Sequence, residues 1–147
     1  MKKETRDCFT LNKNDFADYI DALALKFDVI GPSRRDKGER FGKISTVGDL
    51  ILAGKNTKMP AKELFLPQCE TVLALDDGDG IAKDTAENVD GKGAIIIGIR
   101  PCDAMAVWLL DRVFIGSEPQ DPFYARKRSN TTVISIACLE PEPTCFC

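Results

Sequence analysis

The chain contains no histidine. That absence removes the commonest general base, the Ser/His/Asp and Cys/His nucleophile schemes, and every zinc site built on imidazole. Long apolar runs are missing as well. The longest, such as 94–99, have the length of a strand, far short of the roughly 20 residues of a membrane-spanning helix, so no membrane insertion is expected. The opening MKKETRDCFT has lysines but no apolar stretch behind them, and does not read as a secretory signal. Neither sign of charge dominates: 20 Lys and Arg face 23 Asp and Glu, a net charge of −3. Without a basic signature, nucleic acid is not an expected partner. Gly78-x-Gly80 and Gly91-x-Gly93 lack the strand, the third glycine and the helix of a dinucleotide fingerprint. The expected compartment is the cytoplasm, where structural disulfides are rare. Six cysteines in such a chain therefore need another explanation.

What is present suits one ordinary domain, 1–147, with a cysteine-rich tail over 138–147. Forty-four per cent of the residues are hydrophobic, enough for a core that needs neither disulfide nor metal to fold. Asn12 is placed to cap a helix starting near Lys13, with Phe16, Tyr19, Ile20, Leu23 and Leu25–Phe27 as a rough apolar stripe. Phe27–Ile30 reads as a strand stopped by Gly31-Pro32, and Arg40–Thr46 as a returning strand. Val47–Ala53 reads as a short helix or an apolar turn. Pro60 opens a brief helix over Ala61–Phe65, and Glu70–Leu75 favours a strand. The glycine- and acid-rich stretch 76–93 is expected to be the longest polar loop.

The last third is more sharply patterned. Ala94–Ile99 is a continuous apolar run, the mark of a buried parallel strand. Asp103–Phe114 reads as a helix closed by Gly116, with Trp108, Leu109 and Val113 expected to pack on the sheet. Asp121-Pro122 starts a second helix through Arg128, and Thr131–Ala137 is a second buried strand. A crossover of this kind makes the two strands parallel. The expected fold is α/β: a mixed or mainly parallel sheet with flanking helices, ending in this strand–helix–helix–strand unit.

On that unit Cys102 follows the end of the first strand and Cys138 the end of the second, so both fall at one carboxyl edge, where open α/β sheets bind ligands. Cys145 and Cys147 follow on a tether stiffened by Pro141 and Pro143. In an extended Cys-Phe-Cys the two thiols share one face, with Cα atoms roughly 6–7 Å apart. Four cysteines are the usual shell of an iron–sulfur cluster. Four-cysteine zinc is the rival metal, although no Cys-x-x-Cys knuckle is present. Free or zinc-bound cysteines on a non-redox interaction domain are the alternative function. Cys8 and Cys69 stand alone and are expected to be small buried hydrophobes. Arg100 and Asp103 flank Cys102, either tuning a metal centre or serving as an ion pair and a helix cap. Arg126-Lys127-Arg128 reads as a solvated face or a dock for an acidic partner.

The segments Gly98-Ile-Arg-Pro-Cys-Asp103, Leu110-Asp-Arg-Val-Phe114, Asp121-Pro-Phe-Tyr-Ala-Arg-Lys-Arg128 and Cys138-Leu-Glu-Pro-Glu-Pro-Thr-Cys-Phe-Cys147 resemble, in order and spacing, the amino-terminal part of a redox-subunit family. That family includes sulfhydrogenase beta subunits and the iron–sulfur redox component of anaerobic sulfite reductase. The resemblance is concentrated in residues 94–147. It implies an α/β domain followed by a ferredoxin-like domain with two 4Fe–4S clusters, the latter not within these 147 residues. It also implies a further 4Fe–4S cluster on Cys102, Cys138, Cys145 and Cys147, and electron transfer between a flavin-containing partner and a catalytic subunit. The chain itself would carry no catalytic residue.

Overall fold

The computed structural model describes residues 8–35, 38–53, 56–75, 82–84, 92–143 and 145. Its elements in chain order are α1 (Lys13–Lys26), β1 (Asp28–Arg35), β2 (Gly38–Lys43), then, after a small hairpin of β3 (Leu73–Leu75) and β4 (Ala82–Asp84), β5 (Ala94–Ile99), α2 (Pro101–Phe114), α3 (Pro122–Ser129) and β6 (Thr131–Ser135). Short 3-10 turns occupy Val47–Asp49 and Ala61–Leu64.

A strand as apolar as β5 needs cover on both faces and pairing on both edges. Every residue of it after Ala94 is buried. It runs parallel to β1 on one side and to β6 on the other, and β2 pairs antiparallel with β1, giving the order β2-β1-β5-β6. The fold is therefore α/β with a mixed, four-stranded sheet. The parallel pairing of β5 with β6 agrees with the sequence reading.

Two apolar clusters cover the sheet. Ile95 and Ile97 meet Ile20 of α1, Val29 and Ile44 on one face. Ile96 and Ile99 meet Ala61, Phe65, Val107 and Tyr124 on the other. Strict alternation would put Ile99 with Ile95 and Ile97. An irregularity in register between Ile97 and Ile99, with Gly98 at φ 85°, moves Ile99 to the opposite face.

Several expectations are corrected. Gly31-Pro32 does not stop β1. Asp28 donates its N–H to Gly93 O on the β5 side, and the period of two puts Pro32 on that same edge. The pairing with β5 ends at Ile30, so no ladder bond is lost there, and Pro32 O accepts from Ile51 N at 2.8 Å. On α2, Trp108, Leu109 and Val113 are 50, 51 and 63 % exposed rather than packed on the sheet. The face that turns inward carries Ala104, Val107, Leu110 and Phe114. A helix apolar on several sides does not reveal from spacing which stripe is buried. β6 is shorter than the expected strand, ends at Ser135, and is half-buried because it lies on the sheet edge. Cys8 and Cys69 are exposed, not buried, since they lie in irregular segments before α1 and after the Ala61–Leu64 turn.

Among the other elements, α1, the hairpin partner β2 and both short turns lie close to their expected places, while the short strand expected over 8–11 is not formed. The loop expected over 76–93 lies mostly outside the described residues, and within it Ala82–Asp84 forms β4. Tyr124 locks α3 to α2. It is 1 % exposed, stacks near Phe65 and Phe114, and donates its hydroxyl to Asp111 Oδ1 at 2.7 Å. Arg128 Nε reaches both oxygens of the same carboxylate at 3.0 Å, and Lys127 pairs with Glu70. The basic run is thus half-buried, with Lys127 and Arg128 ion-paired, and is not a solvated face.

Candidate cysteine site at the carboxyl edge of the sheet

β5 and β6 end in register, Ile99 opposite Ser135. Ile136 N and Ser135 Oγ both donate to Ile99 O at 3.0 Å, holding the two strand ends together. Cys102 lies three residues beyond one end and Cys138 three residues beyond the other. After Ile99 the chain turns at Arg100, an extended residue at φ −77° and ψ 156°, and Pro101 starts α2. Proline suits that position because its missing N–H would have had no helical partner. Cys102 therefore stands in the first turn of α2, exposed.

Arg100 links the two cysteines. Its Nη1 donates to Cys138 Sγ at 3.1 Å, while Arg100 and Cys102 line one cavity of about 220 Å³. Cys145 lines the same cavity. Its backbone N–H donates to Glu142 O at 2.9 Å, which turns the tail, and its sulfur accepts from Asn56 Nδ2 at 3.2 Å. The floor is apolar, with Pro32, Leu52 and Gly98. Gly98 is required there: a Cβ would meet Leu52 Cδ2 and Pro32 Cδ, each at 3.0 Å, and φ is already 85°. Asp103 also lines the cavity. Burial raises its pKa above the ordinary carboxylate value, opposed by the positive charges of Lys62 and Arg100.

Cys102 and Cys145 thus share one cavity, Cys138 is tied to its arginine, and Cys147 lies outside the described residues. Cys102, Cys138 and Cys145 carry free thiols. Among the described residues no three Cys, Asp or Glu side chains stand close enough together to hold a single metal ion. In kind, the donor set fits a thiolate-ligated, anionic centre: cysteine sulfurs, a guanidinium and an amide N–H directed at two of them, and apolar cover. Asn56 and Gly98 were not apparent as site residues from the sequence. Asn56 lies 89 residues from its sulfur partner, and Gly98 sits inside a run whose only obvious message is burial.

No protein-family model matches the chain. No solved structure matches it. A curated protein of Pyrococcus furiosus, sulfhydrogenase 2 subunit beta, is 30 % identical over 138 residues, 93 % of this chain and 39 % of that protein. The chain thus spans about two fifths of the length of that relative.

Proposed function

We propose that this chain is the cluster-bearing α/β portion of an electron-transfer subunit in a multisubunit, cytoplasmic oxidoreductase of hydrogenase type. The observation that carries this reading is the convergence of Cys102 and Cys145 on one cavity whose arginine also bonds Cys138. Likeness to a sulfhydrogenase beta subunit supports the hydrogenase rather than the sulfite reductase branch of the resemblance. Cys102, Cys138, Cys145 and Cys147 would hold a 4Fe–4S cluster, which supplies one-electron transfer when bound. The chain's own residues define its setting. Arg100 and Asn56 donate hydrogen bonds to sulfur, which stabilises negative charge there, and Pro32 and Leu52 limit water on one side. Partners in this reading are a ferredoxin-like domain, a flavin-containing protein and a catalytic subunit. Among the described residues no helix is long and apolar enough to cross a membrane.

The test is iron and acid-labile sulfide analysis of protein prepared without oxygen, with electron spin resonance of the reduced sample. Brown protein with a reduced-state signal is expected. Colourless protein with about one zinc per chain would favour the non-redox alternative. Cys102→Ser and Cys145→Ser should lower iron content equally, and Cys69→Ser should leave it unchanged. If Cys69→Ser loses iron while Cys102→Ser keeps it, the ligand set is wrong.

A further inference from the structure

We propose that the outer edge of β6 is a self-association surface, on which a second copy of this chain adds its own β6, antiparallel, across a two-fold axis at Val133. β6 is the last strand in the order β2-β1-β5-β6, and among the described residues no strand pairs with its far side. The hydrogen bonds at its two ends settle which groups face outward. Asn130 O accepts from Ala94 N, and Ile136 N donates to Ile99 O, so the even-numbered residues face β5. With a period of two, Thr131, Val133 and Ser135 turn their N–H and C=O groups away from the sheet. Thr131 O accepts from Arg128 Nη1 at 3.2 Å and keeps a second lone pair. Among the described residues the main-chain groups of Val133 and Ser135 have no partner on that side. The tail does not return along this edge, since Ile136 and Cys145 line the cavity that holds Pro32 of β1.

An edge of this kind is completed by another strand, because a strand returns donors and acceptors at the same repeat. The chain's own β6 fits. An antiparallel pair centred on Val133 sets Val133 against its counterpart, Thr131 against Ser135 and Thr132 against Ile134, so β-branched and small side chains meet with no charge among them. Outward-facing residues then stand opposite outward-facing residues, and Val133 exchanges both its bonds with its counterpart. The other edge of the sheet is guarded. β2 carries Glu39, Arg40 and Lys43, and Glu39 O already accepts from Lys58 N at 3.0 Å. Thr131–Ser135 has neither a proline nor a charged residue. A groove of about 1040 Å³ runs beside Thr131, walled by Asp111, Arg112 and Ile115 of α2. Trp108, 50 % exposed, stands one turn from Arg112, whose guanidinium lies 5.2 Å from its ring. A two-fold axis normal to the sheet lays this flank beside the same flank of the second copy. It adds area that five residues of strand do not supply toward the about 800 Å² per partner of a stable interface. Because the paired strands run opposite ways, the two cysteine edges lie at opposite ends of the joined sheet, and the pairing covers neither.

The experiment follows the mass of the full chain, kept reduced, by sedimentation equilibrium over rising concentration, with backbone amide exchange measured by NMR on the same samples. A reversible rise from one chain toward two is expected, with the Val133 and Ser135 amides gaining protection as concentration rises. Ser135→Pro removes an outward N–H and should raise the dissociation constant about tenfold, since the two-fold axis loses that bond twice. Ser135→Ala removes only the hydroxyl bond to Ile99 O and should leave the dissociation constant unchanged. Amide exchange on the unaltered chain keeps the test valid if the proline variant folds poorly. A chain that stays single at every concentration would overturn the proposal. So would a dimer whose Val133 and Ser135 amides exchange as fast as in dilute solution, or one that a folded Ser135→Pro variant forms equally well.

Discussion

Gly98→Ala isolates the one backbone feature on which both core and site depend. Gly98 has φ 85°, a conformation that costs a residue with a Cβ about 1–2 kcal/mol. The new methyl would also stand 3.0 Å from both Leu52 Cδ2 and Pro32 Cδ. Overpacking of that kind costs about 1–3 kcal/mol, and here the proline ring cannot swing aside. The combined expectation is a loss of about 2–5 kcal/mol, a large share of the about 5–15 kcal/mol that holds a domain folded. The assay is urea unfolding of reduced, chelator-treated protein, so that metal affinity does not enter. With a slope of about 1–3 kcal/mol per molar urea, the midpoint should fall by at least about 0.7 M. Gly48→Ala is the contrast: its added Cβ meets nothing nearer than Thr46 Oγ1 at 3.7 Å, and its φ is not positive. That change should be neutral or stabilise by up to about 1 kcal/mol. A Gly98→Ala loss below about 0.5 kcal/mol, no more than an ordinary surface change, would refute the argument that the bulge turns Ile99 to its face through this glycine.

Other outcomes follow from the same packing. Tyr124→Phe should lose about 1.5–3 kcal/mol at neutral pH, at the lower end because Asp111 keeps both bonds from Arg128. Burial, followed by the Asp111 hydrogen bond and charge, raises the Tyr124 pKa above its ordinary 10.0. The folded chain then holds a proton that the unfolded chain releases, so this stability is complete below pH 10 and falls as pH rises above it, by up to about 1.4 kcal/mol per pH step. Unfolding curves from pH 8 to 11 should show that component in the native chain and not in the phenylalanine variant. Phe65→Ala should cost about 3–5 kcal/mol in urea unfolding, whereas Val113→Ser on the exposed face of α2 should change stability by less than about 0.5 kcal/mol. Chelation should leave the helical circular dichroism intact, because no described cysteine belongs to either apolar cluster. Loss of that signal would make the metal structural.

The most legible part of the fold was the run 94–99. Six apolar residues bounded by Gly93 and Arg100-Pro101 can hardly be other than a buried strand, and its pairing with β6 followed from the helices between them. α3 was legible for local reasons: Asp121 accepts from Tyr124 N at 2.8 Å, and Pro122 fills the first turn. Where the reading failed, the deciding fact was tertiary. Pro32 breaks a strand only if its missing N–H faces a paired neighbour, and β5 has already parted from β1 there. Trp108 and Val107 are equally apolar in the sequence. Which one is buried depends on where Tyr124, Phe65 and the sheet stand.

For the site, the sequence located the cysteines but not what surrounds them. The spacing placed Cys102 three residues and Cys138 one residue past their strands, and the earlier end of β6 at Ser135 makes both offsets three. It could not deliver Arg100 reaching Cys138 or Asn56 reaching Cys145, because neither contact leaves a periodic trace in the chain. These contacts also bear on what the edge can do. The Cys138 sulfur, accepting a bond from a half-buried guanidinium at 3.1 Å, has a fixed positive partner. Arg100 is held in that place because it is at once the last residue after β5 and the residue that caps α2. The fold thus directs a charge at the sulfur through backbone geometry that the buried strand already requires.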